Sequence, residues 1–157
     1  MRSQLLEIGK KSPSFELPRD GEGSLSLKSF AGKPLVVFFY PKDDTSGCTK
    51  EAIGFTENLS EFEALGAAVI GVSKDTVAKH DKFIAKHNLK TPLLSDADGQ
   101  MCEDFGVWKE KSMYGKTYMG IERSTFIIDG EGIIREMWTK VRVKGHVEAV
   151  LEAVKNL

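Results

Sequence analysis

The six residues Leu35-Val-Val-Phe-Phe-Tyr40 constrain this chain more than any other stretch. They are β-branched, aliphatic or aromatic throughout, with no polar alternation. A half-exposed strand alternates, whereas an unbroken apolar run of strand length is covered on both faces. Such a strand requires layers above and below it, so the chain must build a sheet between other elements. Pro41 stops the run, because it brings no N–H to the ladder and fixes its own φ.

The rest of the chain supplies those layers. Residues 14–18 and 24–27 read as short strands around a Gly21-Glu-Gly23 turn. Residues 47–65 carry Ile53, Leu59, Phe62 and Leu65 at helical spacing, and Gly66 stops them. Residues 67–72 form a second buried strand, and 76–88 an amphipathic helix with Val77, Phe83, Ile84 and His87. Leu93-Leu94 is a strand fragment, Asp98-Gly99 a turn and residues 100–105 a short helix. Residues 106–119 read as a loop or hairpin excursion. Residues 125–129 and 133–139 form two strands about the Gly130-Glu-Gly132 turn, and Val147, Val150, Leu151 and Val154 mark a closing helix. Strands alternating with helices, then a hairpin, predict an α/β fold: a central mixed sheet flanked by helices. That order of elements resembles the thioredoxin-like fold. The length of 157 residues suggests one domain spanning 1–157.

Composition excludes several classes. With 22 Lys+Arg against 23 Asp+Glu, the net charge of −1 gives no basic field for nucleic acid or an anionic membrane. No run reaches the ~18–20 apolar residues of a membrane span. Residues 1–11 show no apolar signal-like segment, so a cytoplasmic location is expected. In that reducing setting a structural disulfide is not expected. The two cysteines, Cys48 and Cys102, are too few for a disulfide framework or a Cys-only zinc site.

The chemistry concentrates where the buried strand hands over to the long helix: Pro41-Lys-Asp-Asp-Thr45-Ser-Gly47-Cys48-Thr-Lys-Glu51. Cys48 falls in the helix's first turn. Unpaired N–H groups and the positive end of the helix dipole favour an anion there, and the thiolate is the nucleophilic form of cysteine. Gly47 lets the backbone approach a small substrate closely. Thr45 either caps the helix or turns its hydroxyl towards the Cys48 sulfur or a bound oxygen. Read from position alone, Cys48 is equally well a small structural residue.

Pro41-x-x-x-Thr45-x-x-Cys48 resembles the active-site motif of the peroxiredoxins, and Thr49-x-Glu51 resembles the subgroup called peroxiredoxin Q or bacterioferritin comigratory protein. Phe15-Glu-Leu-Pro18, Val37-Phe-Phe-Tyr-Pro41, Leu94-Ser-Asp-x-Asp-Gly99, Phe105-Gly-Val-Trp108, Lys116-Thr-Tyr-x-Gly-Ile121 and Arg123-x-Thr-Phe-Ile-Ile-Asp129 extend the resemblance over nearly the whole chain. It implies a thiol peroxidase without a bound cofactor or metal, acting on hydrogen peroxide and small organic hydroperoxides, often as a monomer. By the same resemblance, Cys48 is the peroxidatic nucleophile that becomes a sulfenic acid. Thr45 and the N–H groups near Gly47 and Cys48 donate to the peroxide oxygens. Arg123 stabilises thiolate and leaving oxygen, Pro41 shields the sulfur, and Glu51 orients Arg123.

The sequence departs from the subgroup in one respect. Relatives carry a second cysteine five residues after the first or on the next helix; those positions are Ile53 and the neighbourhood of Ile84. Cys102 is the remaining candidate for resolving the sulfenic acid. Its neighbours Met101 and Phe105 make it read instead as a core residue. Without a resolving cysteine the cycle uses one cysteine and an external thiol; with one, thioredoxin is the expected reductant.

Other signals carry nothing. Gly115-Lys-Thr117 lacks the glycine a phosphate loop needs at position 110, which is Glu. The Asn58-Leu-Ser60 triplet falls inside a predicted helix. His80, His87 and His146 make no i, i+4 pair for a metal, Asp96-x-Asp98-Gly99 is too short for a calcium loop, and Trp108 and Trp138 read as core or rim aromatics. Two rival readings stay open on residues alone. A thiol–disulfide oxidoreductase of the same fold needs Cys-x-x-Cys, but Thr45 occupies the first position of that quartet. A non-enzymatic interaction module would leave Cys48 structural, reacting as an ordinary thiol or not at all.

Overall fold

The computed structural model describes residues 6–157; the N-terminal part of the expected signal-free segment lies outside them. The chain opens with β1 (Glu16–Pro18) and β2 (Ser24–Ser26), an antiparallel pair followed by a 3-10 turn at Leu27–Phe30. Next come β3 (Leu35–Phe39), α1 (Ser46–Glu57), α2 (Leu59–Ala64), β4 (Ala68–Ser73), α3 (Val77–His87), β5 (Leu93–Ser95) and α4 (Gln100–Asp104). A hairpin, β6 (Trp108–Met113) and β7 (Lys116–Ile121), precedes β8 (Ser124–Ile128), β9 (Ile134–Trp138) and α5 (His146–Lys155).

The central sheet has five strands in the order β5-β4-β3-β8-β9. β3, β4 and β5 are parallel, while β8 and β9 run antiparallel to their neighbours, so the sheet is mixed as the sequence predicts. β3 is the middle strand, and all five of its residues are buried. Its side chains alternate between two cores. Val36, Phe38 and Tyr40 face one layer with Cys48, Ala52 and Phe55 of α1, Phe62 of α2, Phe83 of α3 and Val147, Val150, Leu151 and Val154 of α5. Leu35, Val37 and Phe39 face the other layer with Phe15, Met101, Cys102, Phe105 and Ile121. Gly71 in β4 is glycine because a Cβ there would lie 2.7 Å from the Phe38 ring.

One expectation needs correction, and a second, left open between loop and hairpin, is decided. The helix predicted over 47–65 is two helices, broken at Asn58. At Asn58 the backbone leaves helical geometry (φ −103°, ψ 6°), and both its N–H and its side-chain amide donate to the Gly54 carbonyl, at 3.2 and 2.8 Å. The glycosylation-like triplet therefore starts at a helix break and not within a helix. The 106–119 excursion is a regular hairpin extending to Ile121, closed by Tyr114 and Gly115, both at positive φ. Its strands carry Lys109, Glu110, Lys111 and Lys116, which hides the period-two apolar pattern from a sequence reading.

Candidate active site

Parallel α/β sheets open a crevice at the carboxyl ends of their strands. β3 ends there at Phe39; Tyr40 and Pro41 follow, and five residues later α1 begins. Thr45 is the N-cap residue of α1, in extended backbone. Cys48 is therefore the third helical residue. The first backbone bond of the helix runs from Thr49 N–H to the Thr45 carbonyl at 2.8 Å. Among the described residues, no hydrogen bond occupies the N–H groups of Ser46, Gly47 and Cys48. They form the ready-made anion site of a helix start.

The seat of α1 is set by aromatic packing. Phe55 stacks on Phe38 of β3 at 4.5 Å between ring centroids and lies 5.9 Å from Phe62 of α2. Truncating a buried aromatic typically costs about 3–5 kcal/mol. This layer therefore fixes the helix, and with it the sulfur.

Arg123 lies on the two-residue link between β7 and β8, 75 residues from Cys48 in sequence. The antiparallel pairing of β8 with β3 places Ser124 opposite Phe39, at the end of β3 that leads to Cys48. Arg123 Nη2 donates to Cys48 Sγ at 3.3 Å, and Nη1 donates to Glu51 Oε1 at 2.7 Å. Cys48 is 1 % exposed and Glu51 wholly buried. Burial works against the Arg123 charge, but Glu51 and Cys48 outweigh it and raise the pKa above its already high ordinary value. The guanidinium is thus a fixed cation against the sulfur. Gly47 has a steric role here: a Cβ on it would lie 3.1 Å from Arg123 Nη2. The neighbour that needs the room at Gly47 is the arginine side chain.

Burial pushes the Glu51 carboxyl up to about 7, with the Arg123 charge pulling it back down. Its second oxygen, Oε2, has no hydrogen-bond partner among the described residues and sits 4.0 Å from His146 Nε2. His146 is bonded to Thr125 Oγ1 at 2.8 Å; burial, then the Arg123 charge, lower its pKa to about 4, so it is neutral at pH 7. A carboxyl whose folded pKa exceeds its ordinary 4.5 contributes stability that is fully present at low pH and is lost as the pH rises through about 7. Glu51→Gln keeps an acceptor for Arg123 and removes the titration. Urea melts are expected to show a flatter pH dependence for Glu51→Gln than for the wild type between about pH 5 and pH 8. Identical slopes would show that Glu51 does not titrate in this range.

The structure brings Cys48, Gly47, Glu51 and Arg123 together. Thr45 differs from one expectation: its exposed hydroxyl donates back to the Lys42 carbonyl at 2.9 Å, closing the turn before the helix, and makes no bond to the sulfur. Pro41 is half-buried at the strand end. Cys102 is wholly buried in the layer on the opposite face of the sheet from Cys48. Its N–H donates to the buried Asp96 carboxylate at 2.8 Å. Burial, then Asp96, push its thiol pKa far up.

Sequence reasoning missed the polar groups behind the loop 41–45. Tyr40 Oη donates to Asp43 Oδ1 at 2.5 Å, and the Asp43 N–H donates to Asp75 at 2.8 Å. Asp43 Oδ2 meets His80 of α3 at 2.7 Å, and Asp44 meets Lys86 and His87 of the same helix at 2.7 and 2.9 Å. The available signal was the placement of His80, Phe83 and His87 on one helical stripe, three and four residues apart, across from two loop aspartates.

The chain is similar to known proteins over nearly its whole length. Residues 8–137 match the AhpC/TSA family. Peroxiredoxin Bcp of Bacillus subtilis is 48 % identical over 152 residues, covering 97 % of each chain. Among solved structures, a cysteine-to-serine variant of Xylella fastidiosa PrxQ superposes with a TM-score of 0.93 at 40 % identity over 98 % of both chains. The Xanthomonas campestris bacterioferritin comigratory protein, solved as trapped intermediate and ligand complexes in connection with its alkyl peroxide reduction, superposes with a TM-score of 0.87 at 47 % identity over 90 % of both chains.

Proposed function

This chain belongs to the AhpC/TSA family and is a peroxiredoxin of the Bcp or Q type, a thiol-dependent peroxidase with a thioredoxin-like fold; on that premise we propose that Cys48 is its peroxidatic nucleophile and Arg123 its principal electrostatic catalyst. The observation that carries the reading is the 3.3 Å bond from the Arg123 guanidinium to a buried sulfur at a helix start.

The Cys48 thiolate attacks the terminal oxygen of a hydroperoxide. An S–O bond forms as the O–O bond breaks, leaving a cysteine sulfenic acid and an alkoxide or hydroxide that takes up a proton to become alcohol or water. Negative charge moves from sulfur along S–O–O during the step. Arg123 and the unpaired N–H groups of Ser46, Gly47 and Cys48 are fixed donors already facing that path, so little reorganisation is needed as charge shifts. Glu51 holds Arg123 in place, and Gly47 leaves it room. Pro41 closes the strand beside the sulfur, and Thr45 shapes the turn that starts the helix.

The sulfenic acid is then reduced by thiols. Cys102 lies across the sheet, and a disulfide needs Cα atoms within about 7 Å. This supports a one-cysteine cycle in which a first external thiol displaces water from Cys48 and a second releases the mixed disulfide. Thioredoxin, whose dithiol supplies both equivalents, is the proposed reductant. Hydrogen peroxide and small organic hydroperoxides are the proposed substrates. Residues 1–157 act as one domain, as a monomer in the cytoplasm. No helix of the described residues is long and apolar enough to cross a membrane.

The test is intact-mass analysis after one equivalent of hydrogen peroxide with a sulfenic-acid trap. One adduct mapped to Cys48 is expected. Cys102→Ala is expected to give the same adduct and to leave turnover with thioredoxin unchanged. A Cys48–Cys102 disulfide, or turnover lost in Cys102→Ala, would make Cys102 the resolving residue. A chain that stays reduced would remove Cys48 from the chemistry.

A further inference from the structure

Glu51 is wholly buried, and only one of its carboxyl oxygens is accounted for. Oε1 accepts from Arg123 Nη1 at 2.7 Å, whereas Oε2 has no hydrogen-bond partner among the described residues. A buried polar atom without a partner is costly enough to need a reason. The ring of His146 faces it, with Nε2 4.0 Å from Oε2. His146 is the first residue of α5, and its ring stands perpendicular to those of Phe55 of α1 and Trp138 of β9, at 6.4 and 5.7 Å between centroids. Its Nε2 is also 2.8 Å from Oγ1 of the wholly buried Thr125. A hydroxyl donates or accepts, so this bond survives with the proton on either ring nitrogen. Nδ1 makes no bond among the described residues and is not sealed from solvent.

We propose that His146 is a positioning residue of the peroxide step: a proton relay that connects Glu51 to water and so sets the charge that Arg123 meets there. The proposal rests on Arg123 acting on Cys48 as the peroxidatic residue. In one state Glu51 carries a proton on Oε2, and His146 is neutral with its proton on Nδ1 and its Nε2 lone pair accepting from Thr125. On ionisation the Oε2 proton passes to Nε2 while Nδ1 gives its own to water. Glu51 is then a carboxylate, one proton has reached solvent, and the ring is again neutral, donating from Nε2 to Thr125 Oγ1. At 4.0 Å the pair is not hydrogen-bonded, so the transfer needs about 1 Å of approach. Oε1 accepts from Arg123 in both states, so the guanidinium keeps its place. Its charge balance changes instead. Beside a neutral carboxyl the whole positive charge acts on the sulfur and the leaving oxygen; beside a carboxylate part of it is cancelled.

The aromatic neighbours of the ring carry no charge. The charged or titratable groups that face the pair are Arg123, between β7 and β8, and beyond it Cys48 of α1, with Lys111 of β6 near enough to sense both. Burial lifts the Glu51 carboxyl to about 7 against the pull of Arg123. Burial, then the Arg123 charge, lower the His146 ring to about 4. The acid is therefore neutral below about pH 7 and ionised above it, while the ring is neutral on both sides. Arg123 acts most fully on Cys48 below that pH, and its effect weakens as the pH rises through it.

Ring-nitrogen NMR and a pH profile test this. In the wild type His146 is expected to be neutral at both about pH 6 and about pH 8, with its proton on Nδ1 at the lower and on Nε2 at the higher. The switch of tautomer is expected to follow the side-chain carbon shift of Glu51. The rate of Cys48 oxidation by hydrogen peroxide, divided by the rate of its alkylation by iodoacetamide, cancels the thiolate fraction. That ratio is expected to fall about tenfold as the pH rises through the Glu51 midpoint. His146→Phe keeps a ring against Phe55 and Trp138 and loses both nitrogens. The Glu51 midpoint and the fall in the ratio are expected about one pH unit higher in it, because the ionised carboxylate loses its nearest donor. One tautomer at both pH values, a charged ring at pH 6, a ratio that stays flat or an unmoved midpoint in His146→Phe overturns the proposal. If His146→Phe does not fold, Thr125→Val frees the Nε2 proton for Oε2; a lower Glu51 midpoint supports the proposal, and an unchanged one overturns it. Cys48→Ser separates the premise from the relay. Turnover retained in that variant refutes the role of Cys48, whereas the tautomer reading taken in it still decides whether the relay exists.

Discussion

Replacing Cys48 with serine is expected to lower hydroperoxide turnover by at least about a thousandfold while the fold is kept. Serine is close in size to cysteine, so α1 and its packing on Phe38 are undisturbed. The chemistry is lost because a hydroxyl at neutral pH has essentially no anionic form and oxygen attacks a peroxide poorly, whereas thiolate sulfur is intrinsically nucleophilic. Arg123 cannot compensate, since a preorganised cation accelerates a nucleophile but does not replace one. Peroxide consumption with an excess of thiol reductant, beside a thermal melt matching the wild type, is the measurement. Turnover above about 1 % of the wild type would locate the nucleophile elsewhere.

Arg123→Lys is expected to slow the attack of Cys48 on hydrogen peroxide by roughly 100- to 1,000-fold, the usual cost of removing one preorganised donor. The charge survives in this variant but the geometry does not. Arg123 uses one nitrogen for Glu51 at 2.7 Å and another for the sulfur at 3.3 Å, a fork that a single ammonium cannot reproduce. Lysine would pair with the buried carboxylate, where leaving a charge unpaired is most costly, and desert the sulfur. The second-order rate constant for Cys48 oxidation, taken from rapid-mixing single turnovers, reads the effect. Alkylation of the same sulfur by iodoacetamide serves as the reference, because that reaction needs no stabilised oxygen. A rate within about threefold of the wild type would remove Arg123 from the transition state.

These two residues also mark the boundary between what the chain announces and what it conceals. Cys48 is legible because its signal is local: a buried strand, a proline, a polar turn and a helix start lie within fourteen residues of sequence, and each has its own mechanism. Arg123 is legible only through resemblance. By itself it is one cation beside a strand, and its nearness to Cys48 comes from β8 pairing antiparallel with β3. The partners of the loop aspartates were legible only as a helical stripe of His80, Phe83 and His87, with nothing to say what it faces. Asp43, Asp44 and His80 belong to residue types that usually face water, and only packing of α3 against the loop turns them into partners.

The break at Asn58 and the 106–121 hairpin follow the same division. Ile53, Leu59, Phe62 and Leu65 keep helical phase across the break, so periodicity sees one helix; the interruption is the single residue Asn58, whose backbone departs from helical geometry. The hairpin carries charges on both strands and lies outside the central sheet, so it needs no alternating apolar face to form.

By itself, then, the sequence determined the elements and the two-faced burial of β3, because burial pattern and turn chemistry act over a few residues. It also picked out Cys48 as a candidate nucleophile, because the helix dipole acts locally, while the proposed role came with the family resemblance. Only the tertiary structure decided which partners Cys48 has. Ion pairs and hydrogen bonds act over about 3 Å, and the groups that make them come from segments dozens of residues apart. The sheet order set Arg123 and Glu51 against Cys48 and put Cys102 on the far side of five strands, a separation that no spacing along the chain expresses.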